Sequence, residues 1–122
     1  MRTVPGQDSD ADVPRLRVHH QEVRGAVVVA VVGDFDMNTV PELEERLVVV
    51  QRPDVPLVLD LTGVTFLDSS GLSALVRCHQ RGLAGGGFRL VVAGRAVARP
   101  LSLTALDELL EIYPTVATAL AA

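Results

Sequence analysis

The sequence predicts an α/β fold: one domain with a mixed sheet of four to five strands and about four helices. Three observations carry this. The chain of 122 residues is long enough for one hydrophobic core and too short to divide comfortably into two. Beyond an opening pair of strands, apolar runs of strand length alternate with segments whose apolar residues recur at helical spacing. Helices that cross between consecutive strands require parallel pairing, while the opening hairpin is antiparallel, so the sheet is mixed.

Residues 1–14 precede the domain. Asp8, Asp10 and Asp12 lie there among Pro, Gly, Gln and Ser with almost nothing to bury, so a disordered acidic arm is expected, with the folded domain over 15–122. LRVHHQEVRGAVVVAVVGDFD then reads as two strands joined near Glu22 to Gly25. The first, at about 16–20, alternates poorly and belongs at an edge. The second, Ala26 to Val32, is nearly continuous valine, which suits a strand covered on both faces.

Gly33 to Asn38 is turn chemistry. Thr39 followed by Glu42 matches a capping box, so a helix starts there, with Val40, Leu43, Leu47 and Val50 on one face and Pro53 as its stop. VPLVLDLTGV gives a central strand at about 56–61, leaving a loop at 62–71. Leu72, Leu75, Val76 and Leu83 share a helical face, which predicts a helix from Ser70 or Gly71 to Arg81. The Gly85 to Gly87 run reads as a flexible connection to a strand at Phe88 to Ala93. A short helix at 96–103, a segment LLEIY that is either a brief edge strand or a loop, and a last helix from Thr115 to Ala121 complete the chain.

Composition narrows the function. Hydrophobic residues are 48% and aromatics 3%, so the core is packed from Val, Leu and Ala. A net charge of -4 leaves no basic excess to neutralise phosphates, which argues against direct nucleic-acid binding. The lone cysteine, Cys78, has no CxxC or metal spacing around it and fits a reducing compartment as a small buried apolar residue. No basic-then-apolar leader opens the chain, and no apolar run is long enough to cross a bilayer, so a cytoplasmic protein without membrane contact is the simplest expectation.

Chemistry concentrates in FLDSSGLSAL, residues 66–75, where a buried strand gives way to a helix. In an open sheet, ligands dock where a strand's carboxyl end feeds a helix. The plain reading of Asp68-Ser69-Ser70-Gly71 is helix capping, worth typically ~1 kcal/mol. One cap needs one residue, however, and a second hydroxyl remains. A hydrolase is disfavoured, because G-x-S-x-G is not matched around Ser69 or Ser70. Of the candidate bases, His79 is roughly 12 Å of helix away and His19 and His20 lie on the first strand. The glycine run precedes a strand instead of opening a helix, and the chain has no Lys, so it is no phosphate-binding loop. Adjacent strand histidines face opposite ways and make a poor metal pair.

The stretches VGDFDMNTVPELEERL, LVLDLTGVTFLDSSGLSALV, GGGFRLVVAG and ALDELLEIYPTVATAL resemble the STAS-domain anti-sigma factor antagonists of bacteria over about residues 16–120. The acidic arm lies outside that match. The resemblance implies a non-enzymatic regulator with no cofactor and no metal. Its unphosphorylated form captures an anti-sigma factor that is also a serine kinase, freeing the sigma factor. Phosphorylation breaks that complex, and a PP2C-type phosphatase restores it. Ser69 matches the phosphate acceptor. By the same match Asp36 and Asp68 help form the partner-facing surface with Ser69, while Ser70 and Gly71 shape and start the helix. The alternative is a STAS scaffold or ligand-sensing module of a signalling complex, working without serine phosphorylation.

Overall fold

A computed structural model of the protein describes residues 15–122; the arm expected at 1–14 lies outside the described residues. The chain opens with strands β1 (Leu16–Val23) and β2 (Ala26–Phe35), paired antiparallel from Leu16–Gly33 to Val23–Ala26. Their two-residue turn is Arg24-Gly25, with φ of 52° and 77°, and two successive left-handed residues match the twist of the flanking strands. β3 (Leu57–Leu67), β4 (Phe88–Val91) and β5 (Ile112–Tyr113) add in parallel, giving the order β1-β2-β3-β4-β5. LLEIY therefore ends in a brief edge strand. Helices α1 (Val40–Val50), α2 (Ser69–Leu83) and α3 (Arg95–Leu103) make the crossovers, a 3-10 turn spans Leu106–Glu108, and α4 (Val116–Ala121) closes the domain.

The valine run is buried on both sides over Ala26–Val29, as its composition requires, but on the face of Val28 the cover ends there: Ala30 is half-buried and Val32 exposed. Val27, Val29 and Val31 face α1 and α2 through Leu43, Leu47, Leu75 and Cys78, and Val97 and Leu101 of α3 join the same cluster. Val28 on the opposite face packs with Val58, Val91 and Ala119 of α4. Each fully buried Leu contributes about 1.5–3 kcal/mol of transfer free energy. The α1 face read from the sequence, Val40, Leu43, Leu47 and Val50, is the buried one.

Four expectations are corrected. The capping box at Thr39 and Glu42 does not form: the Thr39 hydroxyl donates to the Asp34 carbonyl at 2.7 Å and accepts the Asp36 amide, because the preceding turn offers nearer backbone groups. On α2 the inward residues are Gly71, Ala74, Leu75, Cys78 and Gly82, whereas Leu83 is exposed. The glycine run is packed over two of its three residues: β-carbons on Gly85 and Gly86 would stand 2.6 Å from the Pro53 carbonyl oxygen and 2.3 Å from the Val55 backbone, while nothing lies within 4 Å of one on Gly87. Finally, β3 does not stop at 61. Register shifts between Ala30 and Val32 and between Gly33 and Asp34 each insert one extra β3 residue opposite β2, and these bulges carry the strand through the turn-like Thr62-Gly63 to Leu67.

Candidate functional site: the strand-to-helix junction at Ser69

Because β3 continues to Leu67 and α2 begins at Ser69, the junction is a single residue, Asp68. Its amide donates to the Phe35 carbonyl at 3.3 Å, tying it to the end of β2. With extended dihedrals (φ -106°, ψ -172°) it is a standard N-cap. Oδ1 accepts the amides of Ser70 at 2.9 Å and Gly71 at 3.1 Å. The capping reading of the motif is thus fulfilled by Asp68, which leaves the serines free of that duty.

Ser69 occupies the first helical position and is exposed; Ser70 is half-buried and Gly71 buried. Ser70 borders a shallow depression of about 340 Å³ lined also by Met37, Val40, Pro41, Ser73 and Arg77. The Arg77 side chain donates to Glu44 at 2.8 Å, bracing α2 against α1, and that hydrogen bond raises its pKa further.

Asp36, which the resemblance places on the partner-facing surface, is turned largely inward. It is only 8% exposed, and Oδ1 accepts the amides of Asn38 at 2.9 Å and Thr39 at 3.2 Å. Its carboxylate builds the β2–α1 turn from inside, and that turn displays the neighbouring Met37, 69% exposed, beside Ser70. Asp34, one strand over from Phe66, accepts the Thr65 hydroxyl at 3.3 Å. Of the residues singled out from the sequence, Asp68, Ser69, Ser70 and Gly71 come together at the junction, and Asp36 supports it from the adjoining turn. Met37 and Arg77 are additions. An exposed large apolar side chain between two polar turn residues was the signal for Met37; nothing in the spacing marked Arg77.

The three histidines, candidate bases for a nucleophilic serine, lie away from the junction. His79 lies ten residues along α2 from Ser69, about 15 Å of rise. His19 and His20 are on the exposed edge strand. Among the described residues no three His, Cys, Asp or Glu side chains gather as a metal site, and no helix is long and apolar enough to cross a membrane. Cys78 is buried, and loss of solvation pushes its thiol up to about 11.

The chain is similar to the anti-sigma-F factor antagonist RsfB of Mycobacterium tuberculosis, 34% identical over 98 residues, which are 79% of this chain and 80% of RsfB. It is 30% identical to RsfA of the same organism over 111 residues, covering 85% of this chain and 82% of RsfA. The crystal structure of an anti-sigma factor antagonist from Mycobacterium paratuberculosis superposes with a TM-score of 0.81 at 36% identity, covering 87% of this chain and 92% of that one. SpoIIAA in its unphosphorylated form shares the fold, with a TM-score of 0.65 at 16% identity, 84% of this chain and 92% of that one. The family model for the STAS domain matches residues 17–119, all five strands among them but for Leu16, and the chain belongs to the STAS domain family.

Proposed function

We propose that this protein is an anti-sigma factor antagonist, and that the hydroxyl of Ser69 is its switch. The observation that carries this is the exposed Ser69 side chain at the head of α2, with the helix cap supplied independently by Asp68. The antagonists RsfB and RsfA, at 34% and 30% identity, support the general role. In this reading the bare surface formed by Ser69, Ser70, Met37 and the capped junction binds an anti-sigma factor in the bacterial cytoplasm. That partner is also a kinase and transfers phosphate to Ser69; a PP2C-type phosphatase removes it. The protein itself performs no catalysis.

Phosphate would add about -1.5 to -2 charges at the positive end of α2. The Ser70 and Gly71 amides already serve Asp68, so the new group gains the helix field without those donors and projects outward beside a carboxylate. The fold therefore survives, and the change falls on the docking surface. Repulsion and desolvation together need supply only ~3 kcal/mol to weaken binding more than a hundredfold. The test is incubation with the cognate anti-sigma kinase and ATP, followed by mass-spectrometric site mapping and a binding titration. Modification at Ser69 with loss of binding is expected. Modification elsewhere, or none with an active partner, overturns the reading, and recovery of a large sensory assembly in its place favours the scaffold role.

A further inference from the structure

A groove of about 510 Å³ between the end of β3 and the outer side of α3 has no part in the switch. Thr65, Phe66 and Leu67 line one side, with Arg95, Arg99 and Leu103 on the other. Phe66 is 51% exposed and Leu103 73%, so large apolar side chains stand in water beside two exposed guanidiniums one helical turn apart. Among the described residues neither arginine belongs to an ion pair.

We propose that this groove seats the chain's own acidic N-terminal arm, residues 1–14, with Asp8, Asp10 and Asp12 on Arg95 and Arg99. The arm carries three carboxylates against one guanidinium, Arg2, and two valines suited to the exposed ring and leucine. Its point of departure fits. The Arg15 carbonyl accepts the Asp34 amide at 2.9 Å, and Asp34 pairs with Phe66 in the β2–β3 register. The arm thus leaves two strand spacings, about 10 Å, from the near lip of the groove. At ~3.3 Å per extended residue, Asp12 spans up to about 10 Å from Arg15 and Asp8 up to about 23 Å, enough to cross it. Oppositely charged groups held on one chain meet at high effective concentration.

A seated arm would lie against Phe66 and Leu67, immediately before Asp68 and Ser69, and would compete with any protein arriving there. The seating itself needs no partner, so its failure would leave the Ser69 switch untouched, and failure of the switch would leave the seating untouched.

A nitroxide on the full-length variant Ser9→Cys tests it. The native thiol of Cys78 is buried and stays out of the labelling reaction. Paramagnetic loss of amide signal is expected at residues 65–67 and 95–103. It should vanish in about 1 M salt, where the screening length is about 3 Å. D8R/D10R/D12R and R95D/R99D should each abolish the loss, and their combination should restore it; R95Q/R99Q stands in should the reversed pair fail to fold. No signal loss at the groove, loss confined to the Arg17–His19 face of the sheet, or loss that scales with protein concentration would overturn the proposal.

Discussion

The carbonyl oxygen of Phe35 lies 2.8 Å from where a β-carbon on Gly71 would stand, with the Leu67 methyl at 2.4 Å. That separation is why α2 can start directly over the ends of β2 and β3. It also fixes the height of Ser69, two residues earlier, above the sheet.

Gly71→Ala should therefore destabilise the protein. Overpacking costs about 1–3 kcal/mol and the helical preference for Ala returns up to about 1, so a net loss of about 1 kcal/mol is expected in urea denaturation. Binding to the anti-sigma partner should fall further than stability does, because the correction must displace the junction.

Asp68 separates a cap from a charge. Asp68→Ala leaves the Ser70 and Gly71 amides without their acceptor and should cost about 1 kcal/mol, while Asp68→Asn should stay within a few tenths. Equal losses in the two variants, measured by thermal denaturation, would show that the carboxylate charge and not the cap matters.

Ser69→Ala should leave stability within about 0.5 kcal/mol of wild type, since the side chain is exposed and caps nothing. The same variant should bind the partner constitutively, and Ser69→Asp should bind weakly. Phosphorylation should shift the melting temperature little, because the helix field attracts the added charge while the neighbouring Asp68 carboxylate repels it.

Cys78 predicts an alkaline limit. Its folded pKa is raised from 9.0 to about 11 by burial, so the proton is held more tightly in the folded state. Its stabilisation is complete below about 9 and is lost as pH rises from there to about 11, by on the order of 2 kcal/mol. Urea midpoints followed across that range should fall, and Cys78→Ala should flatten the fall. Alkylation of the thiol at pH 8 should proceed only through unfolding.

The fold was legible where one physical signal acted alone. Valine in succession marked β2 as covered on both faces, which holds from Ala26 to Val29 and lapses at the exposed Val32, and Val40, Leu43, Leu47 and Val50 marked the buried side of α1. Reading failed where tertiary contacts overrode local chemistry. Thr39 had the right partner at Glu42 for a capping box, yet the Asp34 carbonyl and Asp36 amide were nearer. Thr62-Gly63 resembles a turn, but β2 alongside keeps it in the sheet through bulges. Resemblance places Asp36 on the partner-facing surface, and only the folded turn shows its carboxylate directed at the Asn38 and Thr39 amides. The capping chemistry of the junction was readable, because Asp is a preferred N-cap, but its length was not: the loop expected at 62–71 is the single residue Asp68.

The one-residue junction has a consequence for recognition. A serine carried on a slack loop can be threaded into an enzyme's cleft as a linear epitope; one clamped between a strand and a helix cannot. Any modifying enzyme must instead meet a preformed relief contributed by two distant parts of the chain, and a synthetic peptide copying residues 60–80 will be a poor substitute for the intact molecule.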